Sequence, residues 1–84
     1  MKKEYSILIT NYRTMRAREK KGTLGELINY FSYTLQTGQS YEYEKGNKKI
    51  NTNPKSIKSL VNNLNNAVTN AAANGCPSEY FEIV

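Results

Sequence analysis

Arg13, Arg16 and Arg18 fall within six residues, with Lys20 and Lys21 just after them and Tyr12 just before. Guanidinium forks at this density suit phosphate, which they meet with paired charge-assisted hydrogen bonds. A tyrosine ring beside them can stack on a base. Lys45, Lys48 and Lys49 form a second, smaller cluster, offset by Glu42 and Glu44. The candidate phosphate-binding set is therefore Tyr12, Arg13, Arg16, Arg18, Lys20, Lys21, Lys48 and Lys49, and it gains if both clusters share a face. The competing reading is a solvated basic loop that keeps the chain in solution.

Other chemistry finds little support. General acid-base work at neutral pH is done mostly by His or by a tuned carboxylate, and the chain has no His, no Asp and seven Glu. Glu26 suits a helix cap, and Glu42, Glu44, Glu79 and Glu82 alternate with apolar or aromatic neighbours as solvent-facing strand residues do. One Cys without His or Asp does not make a zinc sphere. Cys76, next to Pro77 and without a base, reads as a small packing residue. Neither a Walker A sequence nor a Gly-x-Gly-x-x-Gly is present, so no nucleotide loop, cofactor or metal is expected. The chain reads as non-enzymatic.

The charge is segregated. The first 21 residues carry the whole net charge of +5, while residues 22–84 balance five Lys against five Glu. Eighty-four residues suffice for one domain, close to the lower limit for folding without disulfide, metal or partner. Mean hydropathy is -0.71, so the core must be small and self-association would add burial. A lone Cys, no charged-then-apolar leader and no long apolar run favour a cytoplasmic protein with no membrane contact. The eleven Asn and nine Lys reflect an AT-rich coding sequence, which warns against reading function into each Asn.

These residues must be held by a modest set of elements. Residues 4–10 read as a strand with Tyr5, Ile7 and Ile9 on one face and Leu8 on the other. Residues 11–22 are either an edge ribbon or a mobile basic loop. Thr23 and Glu26 form a capping box that opens a helix. Its apolar stripe is Leu24, Leu27, Ile28, Phe31 and Leu35, and Gly38 suits a left-handed C-cap. Tyr33 points away from that stripe and Tyr30 lies on its flank, which makes them the candidate protein interface; the rival use of the tyrosines is amphipathic bulk at sheet edges.

Residues 40–44 and 48–51 flank Lys45-Gly46-Asn47 as a short hairpin. Asn53-Pro54 reads as N-cap and first position of a long helix. Its apolar stripe is Ile57, Leu60, Val61, Leu64, Ala67, Val68 and Ala71, and its polar face is Lys55, Lys58, Ser59, Asn62, Asn66 and Asn70. Asn74-Gly75 and Pro77 stop it, and residues 79–84 close the chain as a strand. The expected fold is α+β, a small antiparallel sheet with two helices on one face. The order β-α-β-β-α-β is that of ferredoxin-like domains, with a two- or three-stranded sheet as the rival. An RNA-recognition domain shares this order, but residues 48–53 lack its aromatic third-strand motif.

The run Phe31-Ser32-Tyr33-Thr34-Leu35, with Gly38 and Ser40-Tyr41, leads through residues 44–51 to Asn53-Pro54-Lys55 and Ile57-Lys58-Ser59-Leu60. Together with Asn11-Tyr12-Arg13-Thr14-Met15-Arg16 it resembles small accessory proteins of gut bacteriophages of the crAss-like, Bacteroides-type kind. The resemblance implies an accessory role in the cytoplasm of a bacterial host and transfers no functional residue. The segregated charge makes binding of an anionic partner, a nucleic acid or a phosphate-bearing nucleotide, the expected function, and analogy with other small phage proteins adds a host defence signal as one such nucleotide. The alternative is a protein-protein module acting on a host protein, or a homo-oligomeric assembly factor.

Overall fold

The computed structural model describes residues 3–44, 46–72 and 75–84. Lys2, Lys45 of the expected turn and Asn74 of the expected helix stop lie outside the described residues. The chain is α+β: a three-stranded antiparallel sheet in the order β2-β1-β3, with three helices. β1 (Glu4–Asn11) is the central strand, flanked by β2 (Arg16–Thr23) and β3 (Glu79–Ile83). Its Ile7 and Ile9 meet Phe81 of β3 in the core.

The second strand corrects the expected order. It follows β1 directly, in the order β-β-α-α-α-β, and is made from the basic segment. Residues 16–23 are therefore the edge ribbon of the two options, in full register with β1 from Glu4↔Thr23 to Asn11↔Arg16. An edge strand needs main-chain pairing more than apolar side chains, because its side chains reach water. Hydrophobic patterning therefore gave no signal for it.

β2 runs straight into α1 (Leu24–Tyr30) through the expected capping box: the Thr23 amide donates to Glu26 Oε1 at 2.8 Å, and the Glu26 amide donates to Thr23 Oγ1 at 3.2 Å. The single helix expected here is broken at Phe31, where α2 (Ser32–Ser40) begins. The bonds Phe31 N–H to Leu27 O and Leu35 N–H to Phe31 O meet at the break, so Phe31 closes the ladder of α1 and opens that of α2. The turn lets α1 pack on β2 while α2 packs on α3. Gly38 is no C-cap. It lies within α2, where a Cβ would come 2.3 Å from Ala67 Cβ and 2.4 Å from Ala67 Cα, so glycine is what permits α2 and α3 to approach.

No strand forms among the described residues of 40–51, in place of the expected hairpin. Gly46 does adopt the left-handed conformation of a turn (φ 85°). The residues after it are claimed by side chains. The Lys48 amide donates to Asn70 Oδ1 (3.0 Å) and the Lys48 carbonyl accepts from Asn70 Nδ2 (2.7 Å). The Asn51 amide donates to Asn63 Oδ1 (2.8 Å), and the Ile50 amide to Glu42 Oε2 (3.1 Å). A helix thus supplies the polar partners that a second strand would have offered, and Ile50 is carried into the core.

α3 (Ile57–Ala71) starts later than expected. Ser56 is the cap, accepting from the Ser59 amide at 3.1 Å, while Asn53 is drawn into a turn in which its amide donates to Asn51 Oδ1. The helix buries Leu60, Val61, Leu64 and Ala67 as the stripe predicts, but Ala71 is exposed. Asn70, expected on the polar face, is 6% exposed and fully bonded. Each of the larger core side chains contributes roughly 1.5–3 kcal/mol, and the shared cluster of Ile7, Ile9, Leu27, Phe31, Leu35, Ile50, Leu60, Leu64 and Phe81 joins sheet and helices.

Candidate functional site

Strand alternation sorts the charged residues of the sheet. Side chains two apart share a face, and the registers place Arg16, Arg18 and Lys20 on the same face as Ile7, Ile9 and Phe81, the side on which the helices pack. Lys21 belongs to the other face, with Glu4, Glu19 and Glu82. The basic cluster is thus divided: three cations form a row at intervals of roughly 7 Å along β2, and the fourth lies behind them among carboxylates.

The row has defined neighbours. Arg18 reaches across β1 towards Glu79, with NH1 3.9 Å from Oε2, yet its side chain stays 61% exposed. At that separation and exposure the pair is weak, so Arg18 remains open to a stronger anion. Lys20 Nζ sits 4.4 Å from the centroid of the Tyr30 ring, a cation-π contact that fixes its ammonium beside α1. Arg16 has no ion pair among the described residues. On the opposite face Lys21 lies 3.8 Å from Glu19.

The β1–β2 turn adjoins the Arg16 end of the row. Asn11 Oδ1 accepts from the amides of Arg13 (2.9 Å) and Thr14 (3.1 Å), an Asx turn that leaves Tyr12, Arg13 and Met15 exposed. Met15 closes the turn at φ 58°, a conformation that costs a side chain more than glycine.

The other expected site residues fall elsewhere. Lys48 and Lys49 are exposed on the segment between α2 and α3, which the Asn70 and Asn63 amides hold to α3, and they are not part of the β2 row. Tyr30 joins the row through Lys20, whereas Tyr33, on α2 past the break, is 81% exposed and has no ring contact among the described residues. Cys76, expected as a packing residue, is exposed. Glu42, expected on a strand, holds the Ile50 amide instead.

Two features escaped the sequence reading. One is Glu79, whose approach to Arg18 depends on β3 lying on the far side of β1. The other is which main-chain groups the edge of β2 leaves free. The bonds Val84 N–H to Ser6 O and Tyr12 N–H to Ser78 O show that even-numbered residues of β1 face β3. The odd ones therefore face β2, bonding Arg16, Arg18, Lys20 and Gly22 and leaving the main-chain groups of Ala17, Glu19 and Lys21 directed outward. Those outward groups have no partner among the described residues.

Recesses lie apart from the row. An open groove of about 790 Å³ runs between α3 and β3, past Val61, Asn65, Phe81 and Ile83, and Arg16, Arg18 and Lys20 do not line it. Among the described residues no three His, Cys, Asp or Glu side chains gather as a metal site, and no helix is long and apolar enough to cross a membrane. Compared with known families, curated proteins and solved structures, the chain has no match in any of the three.

Proposed function

We propose that this protein is a non-enzymatic binding protein that holds an elongated anionic partner along the cationic side of β2. The observation that supports it best is the row Arg16, Arg18 and Lys20 on one face of an exposed strand, with Arg13 exposed in the adjoining turn. From Arg16 to Lys20 the strand spans roughly 13 Å, too far for one phosphate to engage both ends. A partner with repeated charges fits this row better than a compact nucleotide does. Tyr30 adds an aromatic surface at its end, which unites part of the expected phosphate site with part of the expected interface. The setting we infer from the phage resemblance is the cytoplasm of an infected bacterium, with a host macromolecule as partner.

Binding of fluorescent polyanions, polyglutamate and a single-stranded oligonucleotide, tests the reading at about 50 mM salt and above. The wild type should bind at least one of them with an affinity that falls as salt rises. The triple variant Arg16→Ser/Arg18→Ser/Lys20→Ser should lose at least tenfold, while Lys21→Ser, on the other face, should lose little. Equal binding by wild type and triple variant would remove the row from the function.

A further inference from the structure

We infer that the partner is an acidic, extended polypeptide segment that adds as a fourth strand to the free edge of β2. This rests on the anionic-partner reading above and names the partner. Two independent features converge on it. First, β2 is eight residues long, at the end of the sheet, with the amides and carbonyls of Ala17, Glu19 and Lys21 directed outward and unpartnered among the described residues. Such an edge is a template for main-chain pairing. Second, an added strand places every second side chain directly beside Arg16, Arg18 and Lys20. Carboxylates at alternate positions would each meet one cation, while the intervening residues would lie beside Ala17, Glu19 and Lys21.

The same geometry argues against a second copy of this chain as the occupant. Any two-fold antiparallel pairing of β2 with itself that hydrogen-bonds through Ala17, Glu19 and Lys21 sets even-numbered residues opposite even-numbered ones, so cation faces cation along the row. Like charges directly opposite are destabilising. A nucleic acid could meet the cations and accept from outward amides through its phosphates, but its sugar-phosphate backbone offers the outward carbonyls no donors repeating at strand spacing. The acidic strand satisfies both.

The test uses peptides of roughly ten residues, one alternating Glu with Thr and one carrying the same residues as a Glu block followed by a Thr block. Two isomers of the alternating peptide carry N-methyl groups, one on every Glu amide and one on every Thr amide. In strand addition only one alternate set of amides faces β2. The alternating peptide should therefore bind at least tenfold more tightly than the block peptide, and one methylated isomer should lose binding while the other keeps it. Glu19→Pro removes an outward N–H without touching the β1–β2 ladder, which runs through Arg18 and Lys20. It should bind the alternating peptide at least tenfold more weakly than the wild type.

If the block peptide and both isomers bind equally, strand addition is overturned although an anionic partner is retained. A single-stranded oligonucleotide of equal charge that binds tenfold tighter than any peptide, undisturbed by Glu19→Pro, would make the partner a nucleic acid and overturn the proposal. Failure of every probe to bind would overturn the anionic reading as well. The methylated peptides keep the test decisive should Glu19→Pro not fold.

Discussion

The side-chain amide of Asn65 pairs with the main chain of Phe81 in both directions, Nδ2 donating to the carbonyl at 2.9 Å and Oδ1 accepting from the amide at 2.8 Å. One side chain thus does at the centre of β3 what a neighbouring strand would do, and the outer edge of β3 is blocked there as that of β2 is not. Removing it should leave two main-chain groups unpaired at a half-buried position. Asn65→Ala is expected to lower the stability by about 2–3 kcal/mol, read as a lower urea midpoint, whereas Asn62→Ala on the exposed side of the same helix should change it by about 0.5 kcal/mol or less. Equal effects at the two positions would refute the role given to Asn65.

Asn70 holds three main-chain groups from two segments: the Gly38 carbonyl (3.2 Å) and both the amide and carbonyl of Lys48. Its burial removes water as a substitute partner. Asn70→Ala should cost about 3 kcal/mol or more, and amide exchange should quicken first at Lys48. Unchanged exchange there would show that the 47–51 segment is held by something else.

Gly38→Ala tests the contact between α2 and α3. The added methyl meets both Cβ and Cα of Ala67 well inside contact distance, so backbone must shift. The expected loss is about 3 kcal/mol, at the upper end for overpacking. Because Ala67 Cα remains at 2.4 Å from the new methyl, Ala67→Gly should not restore the Gly38→Ala variant. A rise in its melting temperature with Ala67→Gly would show that the clash is with the side chain alone.

Met15→Gly should stabilise the protein, because it relieves a side chain held at φ 58° in an exposed turn. The gain is about 0.5–1 kcal/mol, the left-handed penalty offset in part by the greater freedom of glycine in the unfolded chain. A lower melting temperature would mean that Met15 makes contacts that outweigh its backbone cost.

Much of the framework was legible in the residues themselves. The alternation of Tyr5, Ile7 and Ile9, the reciprocal cap of Thr23 and Glu26, and the stripe Leu60, Val61, Leu64 and Ala67 each express a local rule, and each appears as read. What local rules miss is competition between partners. The extended residues 48–51 carry strand-like Ile50, but the amides of Asn63 and Asn70 on a helix distant in sequence reach their backbone instead. Gly38 reads equally well as a helix end or as a helix crossing, and only the position of Ala67 separates the two. The same holds for the candidate site. The cations were visible as a cluster, while their division between two faces depended on residues 16–23 pairing with β1.

The bonds by which α3 holds β3 and most of those to residues 47–51 come from carboxamides, which carry no formal charge and do not titrate. Neutralising the cations of β2, by salt or by a bound polyanion, therefore leaves those clasps intact. The proposed anion binding and foldedness thus rest on different side chains, so selection can retune the one without eroding the other.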